Sequence, residues 1–110
     1  MSFVVHVADA ELMPDELDPS SVLAGDPKTS SAVLHVDDKV ERGIWQITPG
    51  TVTDVETDEV FVVLDGRATI EIKGGPTLEV GPGDVCVFDQ GAETVWTVHE
   101  TLRKVYQITF

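Results

Sequence analysis

From Ala32 to Ile108 the chain is a series of short β-branched and aromatic runs, each cut by Gly, Pro or Asp. This punctuation constrains the fold more than any other feature. Runs of this length can bury a face only by pairing with one another, and none carries the apolar period of an amphipathic helix. The expected strands are Phe3–Val7, Ala32–Val36, Gly43–Thr48, Thr51–Val55, Glu59–Leu64, Arg67–Ile72, Thr77–Val80, Asp84–Phe88, Glu93–Val98 and Arg103–Ile108. Their spacing suits a sandwich or barrel rather than strand–helix–strand units. Ala68, Ile70 and Ile72 alternate with Arg67, Thr69 and Glu71, as in an antiparallel sheet with one buried and one wet face.

The breaks have chemical reasons. Asp65-Gly66 reads as a tight hairpin, with Gly supplying a positive φ. Gly74-Gly75-Pro76 turns the chain before Leu78, and Pro49-Gly50 turns it after Trp45. Gly81-Pro82-Gly83-Asp84 is a stiff corner. It opens no helix, so it is read as a turn and not as a phosphate cradle. Residues 8–31 differ, with Pro14, Pro19, Pro27 and many acidic and hydroxyl side chains. They read as a long arm with at most a helical turn near Asp15–Leu17. Phe3–Val7 is apolar on both faces and is expected to dock on a sheet edge, of its own subunit or of a partner.

At 110 residues the chain is expected to form a single domain, with 1–31 as arm and 32–110 as barrel core. Twenty acidic residues against seven Lys and Arg give a net charge of −13. Such a surface repels phosphate backbones and anionic lipid, so neither nucleic acid nor membrane is an expected partner. No apolar run approaches the length of a membrane helix, and no cationic leader precedes an apolar stretch. The lone Cys86 rules out an intramolecular disulfide and a Cys-rich zinc site, and the expected compartment is the cytoplasm.

An ordered set of segments then carries a resemblance. Gly43-Ile44-Trp45 and Thr48-Pro49-Gly50 come first, followed by Asp58-Glu59 and Val63-Leu64-Asp65-Gly66. Gly81-Pro82-Gly83-Asp84, Gly91 ahead of Trp96, and Arg103-Lys104-Val105-Tyr106 complete it. In this order they resemble the cupins, above all the small single-domain cupins grouped with ureidoglycine aminohydrolase and the ethanolamine-utilisation cupin domains. The resemblance implies an all-β jelly-roll barrel of two antiparallel sheets with a small-molecule cavity, often built as a homodimer. It says less about the reaction, because function lives in sites grafted on folds.

Metal-binding cupins place two His, a Glu and a third His inside the barrel. Glu59 precedes Gly66 by the family's spacing for the Glu ligand. Counting back puts the paired histidines at Val52 and Asp54, or at Thr53 and Val55. Thr94 stands where the third His is expected, and Asp89 where a Pro is usual. A lone carboxylate does not hold a transition metal tightly, so no metal or other cofactor is expected. His6, His35 and His99 fall outside the motif spacing and read as surface or packing residues.

Asp54, Glu56, Asp58 and Glu59 invite a hard-cation site, but strand alternation sends them to different faces. They read instead as a solvated acidic strand end. Glu59 and Lys104 are the candidate polar pair. Lys104 alternates with Tyr106 and Ile108, so it is expected to face inward. There it either neutralises Glu59 as a structural ion pair, binds an anionic or carbonyl group of a ligand, or serves as a base. Trp45, Phe61, Trp96 and Tyr106 are the expected walls, with Thr94 and Tyr106 as polar partners; filling of a small barrel is the alternative. Cys86 lies in an apolar run and reads as a buried, unreactive thiol.

The expected function is therefore binding of a small polar metabolite in a metal-independent pocket around Glu59 and Lys104, with acid–base chemistry if the protein is an enzyme. The alternatives are a metal-dependent enzyme using Glu59 and Asp54, or a non-enzymatic sensor or interaction domain.

Overall fold

The computed structural model describes residues 2–110. Nine strands form it: β1 (Met13–Asp15), β2 (Val22–Gly25), β3 (Thr29–Val36), β4 (Val40–Ile47), β5 (Gly50–Val55), β6 (Asp58–Ile72), β7 (Thr77–Val80), β8 (Val85–Phe88) and β9 (Glu93–Thr109). The helical pieces among the described residues are two 3₁₀ turns, Val7–Asp9 and Pro19–Ser21.

Two long strands organise the rest. The first half of β9 pairs with β5 and with the second half of β6, and the second half of β9 pairs with β4 and with the first half of β6. β6 and β9 thereby run from one sheet into the other. One sheet is ordered β1-β3-β4-β9-β6-β8 and the other β2-β5-β9-β6-β7, with every pairing antiparallel. The sheets curl around a core that includes Ile47, Val52, Phe61, Val63, Ile70, Phe88, Trp96 and Leu102. This is the expected jelly roll.

Several local readings are corrected. Glu59–Leu64 and Arg67–Ile72 are one strand, and so are Glu93–Val98 and Arg103–Ile108. Asp65-Gly66 is no hairpin. The chain goes on pairing with β9 through register shifts on both sides of Asp65. Gly66 has φ +85°, and a Cβ there would run into the Thr101 carbonyl of β9. The glycine allows a bend within a pair of strands, not a reversal.

The arm is more ordered than its composition suggests. β1 pairs with β3 and β2 with β5, so the segment between them passes from an edge of one sheet to an edge of the other. The expected helical turn lies slightly later, at Pro19–Ser21, where Asp18 accepts a hydrogen bond from the Ser20 N–H at 2.9 Å. Asp15 itself is in β1. Phe3–Val7 forms no strand. Arg103 Nη1 donates to the Val7 and Ala10 carbonyls at 2.7 and 3.1 Å, holding this segment against the outer face of its own barrel. Carbonyls bonded to a guanidinium need no ladder.

Candidate functional site

The open end of the barrel holds a cavity of about 1060 Å³. The period-two alternation of the strands decides what enters it. Phe61 and Val63 of β6, Lys104 of β9, and Trp96 and Thr94 nearer its start are buried inward. Trp45, Glu59, Thr94, Trp96, Lys104 and Tyr106 line the cavity, while Phe61 lies beneath it against Phe88 and Trp96, with ring centroids 5.6 and 5.7 Å away.

Lys104 is the centre of the wall. Its Nζ donates to Glu59 Oε2 at 2.6 Å, and the two side chains are only 7% and 8% exposed. The ammonium also lies 4.3 Å from the Phe61 ring centroid, 4.7 Å from that of Trp45 and 5.2 Å from that of Trp96. Trp45 meets Trp96 edge-on at 5.6 Å. The chain's own lysine thus sits in an aromatic box of the kind that holds ligand cations. Of the readings left open for Lys104, its contacts are those of an ion pair with Glu59.

Glu56 is the residue that sequence reasoning misplaced. It is not solvated but 6% exposed and turned into the cavity. Its backbone is clamped at the β5–β6 corner: its N–H donates to the Ala92 carbonyl at 2.9 Å, and its carbonyl accepts from the Gly91 N–H at 2.8 Å. Its Oε1 accepts from the Thr94 hydroxyl at 2.8 Å and from the Trp96 indole N–H at 3.3 Å. Burial pushes its carboxyl up to about 7, the Asp54 charge adds to this, and Thr94, Lys104 and Trp96 pull the other way. Two inward donors, Thr94 and Trp96, were the available signal, since buried donors need an acceptor. The expected partners, Thr94 and Tyr106, are not those of the indole. Tyr106 instead donates to Glu41 Oε2 at 2.7 Å and lies so close to Gly43 that a Cβ there would collide with its phenol. Burial, followed by the Glu41 bond, raises its pKa.

The remaining carboxylates do not converge. Asp58 is exposed and accepts from the Gln90 N–H at 2.8 Å, and Asp54 is exposed at the rim. Among the described residues no group of three or more His, Cys, Asp and Glu side chains is placed to hold a metal ion. The position of the family's Glu ligand is taken up by the ion pair with Lys104, so the donor set does not fit a bound metal. His35 bonds Asp37 at 3.0 Å and His99 bonds Thr69 at 2.8 Å, both on the surface, and His6 is exposed. Burial lifts the Cys86 thiol to about 11, which keeps it protonated and unreactive.

Known structures share this architecture. A DUF861-family protein of unknown function from Pseudomonas syringae pv. tomato is similar at 29% identity and TM-score 0.80; the match covers 92% of this chain but only 45% of that one. The Clostridium difficile EutQ protein is similar at 17% identity and TM-score 0.66, over 86% of this chain and 80% of its own. The polyketide cyclase RemF from Streptomyces resistomycificus is similar at 18% identity and TM-score 0.67, over 99% and 80%. The last two likenesses concern the fold alone. No curated protein matches the sequence. The model of the EutQ-like cupin domain, however, matches residues 34–106, the stretch that supplies Glu56, Glu59, both tryptophans and Lys104, and the chain belongs to that family.

Proposed function

We propose that this cupin binds a small polar metabolite in the open end of its barrel, with no metal, and that Glu56 is the acid–base group facing the ligand. The observation that carries the reading is the Lys104–Glu59 contact of 2.6 Å in the aromatic box. A resident ammonium stands beside the carboxylate that a metal would need, and a cavity of about 1060 Å³ remains beyond it. Lys104 and Glu59 are fixed parts of the wall. Glu56, held by Thr94 and Trp96 with its carboxyl near 7, is in the range where a group both gives and takes a proton. An isomerisation, a lyase step or a hydrolysis fits such a group.

The test is elemental analysis by mass spectrometry on untagged protein purified without chelators. The expected result is metal far below one atom per chain. Near-stoichiometric iron, manganese, nickel or zinc would overturn the proposal.

A further inference from the structure

The cavity is charged in one sense. Eight carboxylates and two lysines line it. Both lysines are already engaged: Lys104 with Glu59, and Lys73 with Glu93 at 3.6 Å on the rim. No arginine or histidine is among the lining residues. The arm adds Asp15, Glu16 and Asp18 to the same opening, so the segment that spans the sheet edges also makes the opening more negative. A low-dielectric cleft lined by one sign of charge concentrates ions of the other sign.

An acidic rim by itself is only a solvated surface. Glu56 is what makes this one specific. Its side chain is buried, yet no Lys, Arg or His nitrogen lies within 4.0 Å of it among the described residues. Its two side-chain hydrogen bonds among the described residues both go to Oε1, which leaves Oε2 without a donor among them. Among the described residues no fully buried side-chain oxygen lacks a partner, so Oε2 of this cavity-lining residue is reached from the cavity. The same holds for Glu59 Oε1, because Lys104 bonds only Oε2. Two carboxylate oxygens therefore open into the cavity with acceptor capacity unused. A buried carboxylate without a cation is unfavourable, and a donor bearing positive charge would relieve it. Among the described residues no group of three or more His, Cys, Asp and Glu side chains is placed to hold a metal ion, which favours an organic donor.

From this geometry we infer that the ligand of the pocket is a small organic cation with N–H donors, a primary ammonium or an amidinium-type group, received by Glu56 Oε2. The inference rests on the proposal of a metal-free metabolite pocket and names its substrate class. It also replaces the sequence-based expectation of an anionic or carbonyl ligand held by Lys104.

Trp96 reports on Glu56 directly, because its indole N–H donates to Oε1. The experiment follows that indole signal by ¹H–¹⁵N NMR on the full chain at constant ionic strength, with Trp45→Phe assigning the two indoles. The probes are butylammonium, tetramethylammonium, butan-1-ol, butyrate and Mg²⁺. Butylammonium is expected to shift the Trp96 signal saturably, and Glu56→Gln to weaken that response about tenfold or more, one hydrogen bond to a charge being worth at least that. Tetramethylammonium, which has no N–H, is expected to have little effect; this comparison uses the wild type and does not depend on the variant folding. Equal responses to both cations would overturn the donor assignment. A saturable response to butyrate or butan-1-ol, with butylammonium inert, would overturn the cation while leaving a metabolite pocket. Mg²⁺ reproducing the shift would overturn both, and so would silence from every probe.

Discussion

Glu56 carries the clearest pH signature. Its carboxyl is raised to about 7 in the fold against 4.5 for an ordinary glutamate, chiefly by burial. Between those values the folded state binds more proton than the unfolded chain. Its contribution is therefore fully present below about pH 4.5 and is lost as pH rises through about 7. The loss is at most about 3–4 kcal/mol, at about 1.36 kcal/mol for each pKa unit between 4.5 and about 7. The difference in Tm between wild type and Glu56→Gln, measured from pH 4 to 8, is expected to grow in favour of the variant across that window. A flat difference would mean that Glu56 ionises normally. Lys104 tests another kind of burial. Lys104→Met leaves Glu59 as an uncompensated buried charge and is expected to cost about 3–5 kcal/mol by urea denaturation. Adding Glu59→Gln should recover most of that loss. A double variant no better than the single would deny the coupling.

At the scale of elements, the bend in β6 tests how the two sheets become one barrel. Gly66→Ala meets both a left-handed φ of +85° and the Thr101 carbonyl. It is expected to cost about 2 kcal/mol or more in chemical denaturation. Gly74→Ala, with φ +74° but open space, should cost less. Equal losses would mean that the strand shifts freely and the close approach of β6 to β9 is not tight. The runs around Asp65 show what strand reading can and cannot yield. Although the inward positions change from odd numbers at Phe61 and Val63 to even ones at Ala68 and Ile70 across the register shifts of the bend, Ala68 and Ile70 were legible as inward residues, because period-two alternation holds within each run. Whether Asp-Gly reverses the chain or only bends it was not, because both conformations use the same positive φ. The short β1 and β2 were missed for another reason. They borrow their pairing from β3 and β5, and no apolar alternation within the arm announces it.

The whole molecule presents an apolar outer face. On edge strand β8, Val85 and Val87 are 61% and 69% exposed, next to the exposed Val62 of β6. Unpaired apolar edges are usually covered. The expectation of a homodimer stands as a proposal located at this edge, since the Phe3–Val7 segment lies along its own barrel and forms no strand. With a charge of −13 on each copy, association should strengthen with salt as the repulsion is screened. Light scattering at micromolar concentration is expected to give twice 11.9 kDa, and Val87→Glu to shift the mass toward one chain. A wild-type monomer at every salt concentration would sink the dimer.

What the linear order of residues settled was the class of fold, most strand positions, the lost histidines of the metal motif, and the inward set Glu59, Phe61, Trp96, Lys104 and Tyr106. Strand positions and the inward set follow from alternation, turn chemistry and spacing, which are local, whereas the lost histidines are read against the motif of the cupins that the sequence resembles. The tertiary structure alone decided that Lys104 is neutralised by Glu59 across 45 residues of chain, that the arm brings its carboxylates to the cavity, and that Glu56 is buried. Glu56 lies in an acidic run that looks wet. Its burial is set by donors 38 and 40 residues away on β9, and a window along the chain contains no term for a hydrogen bond made across a barrel.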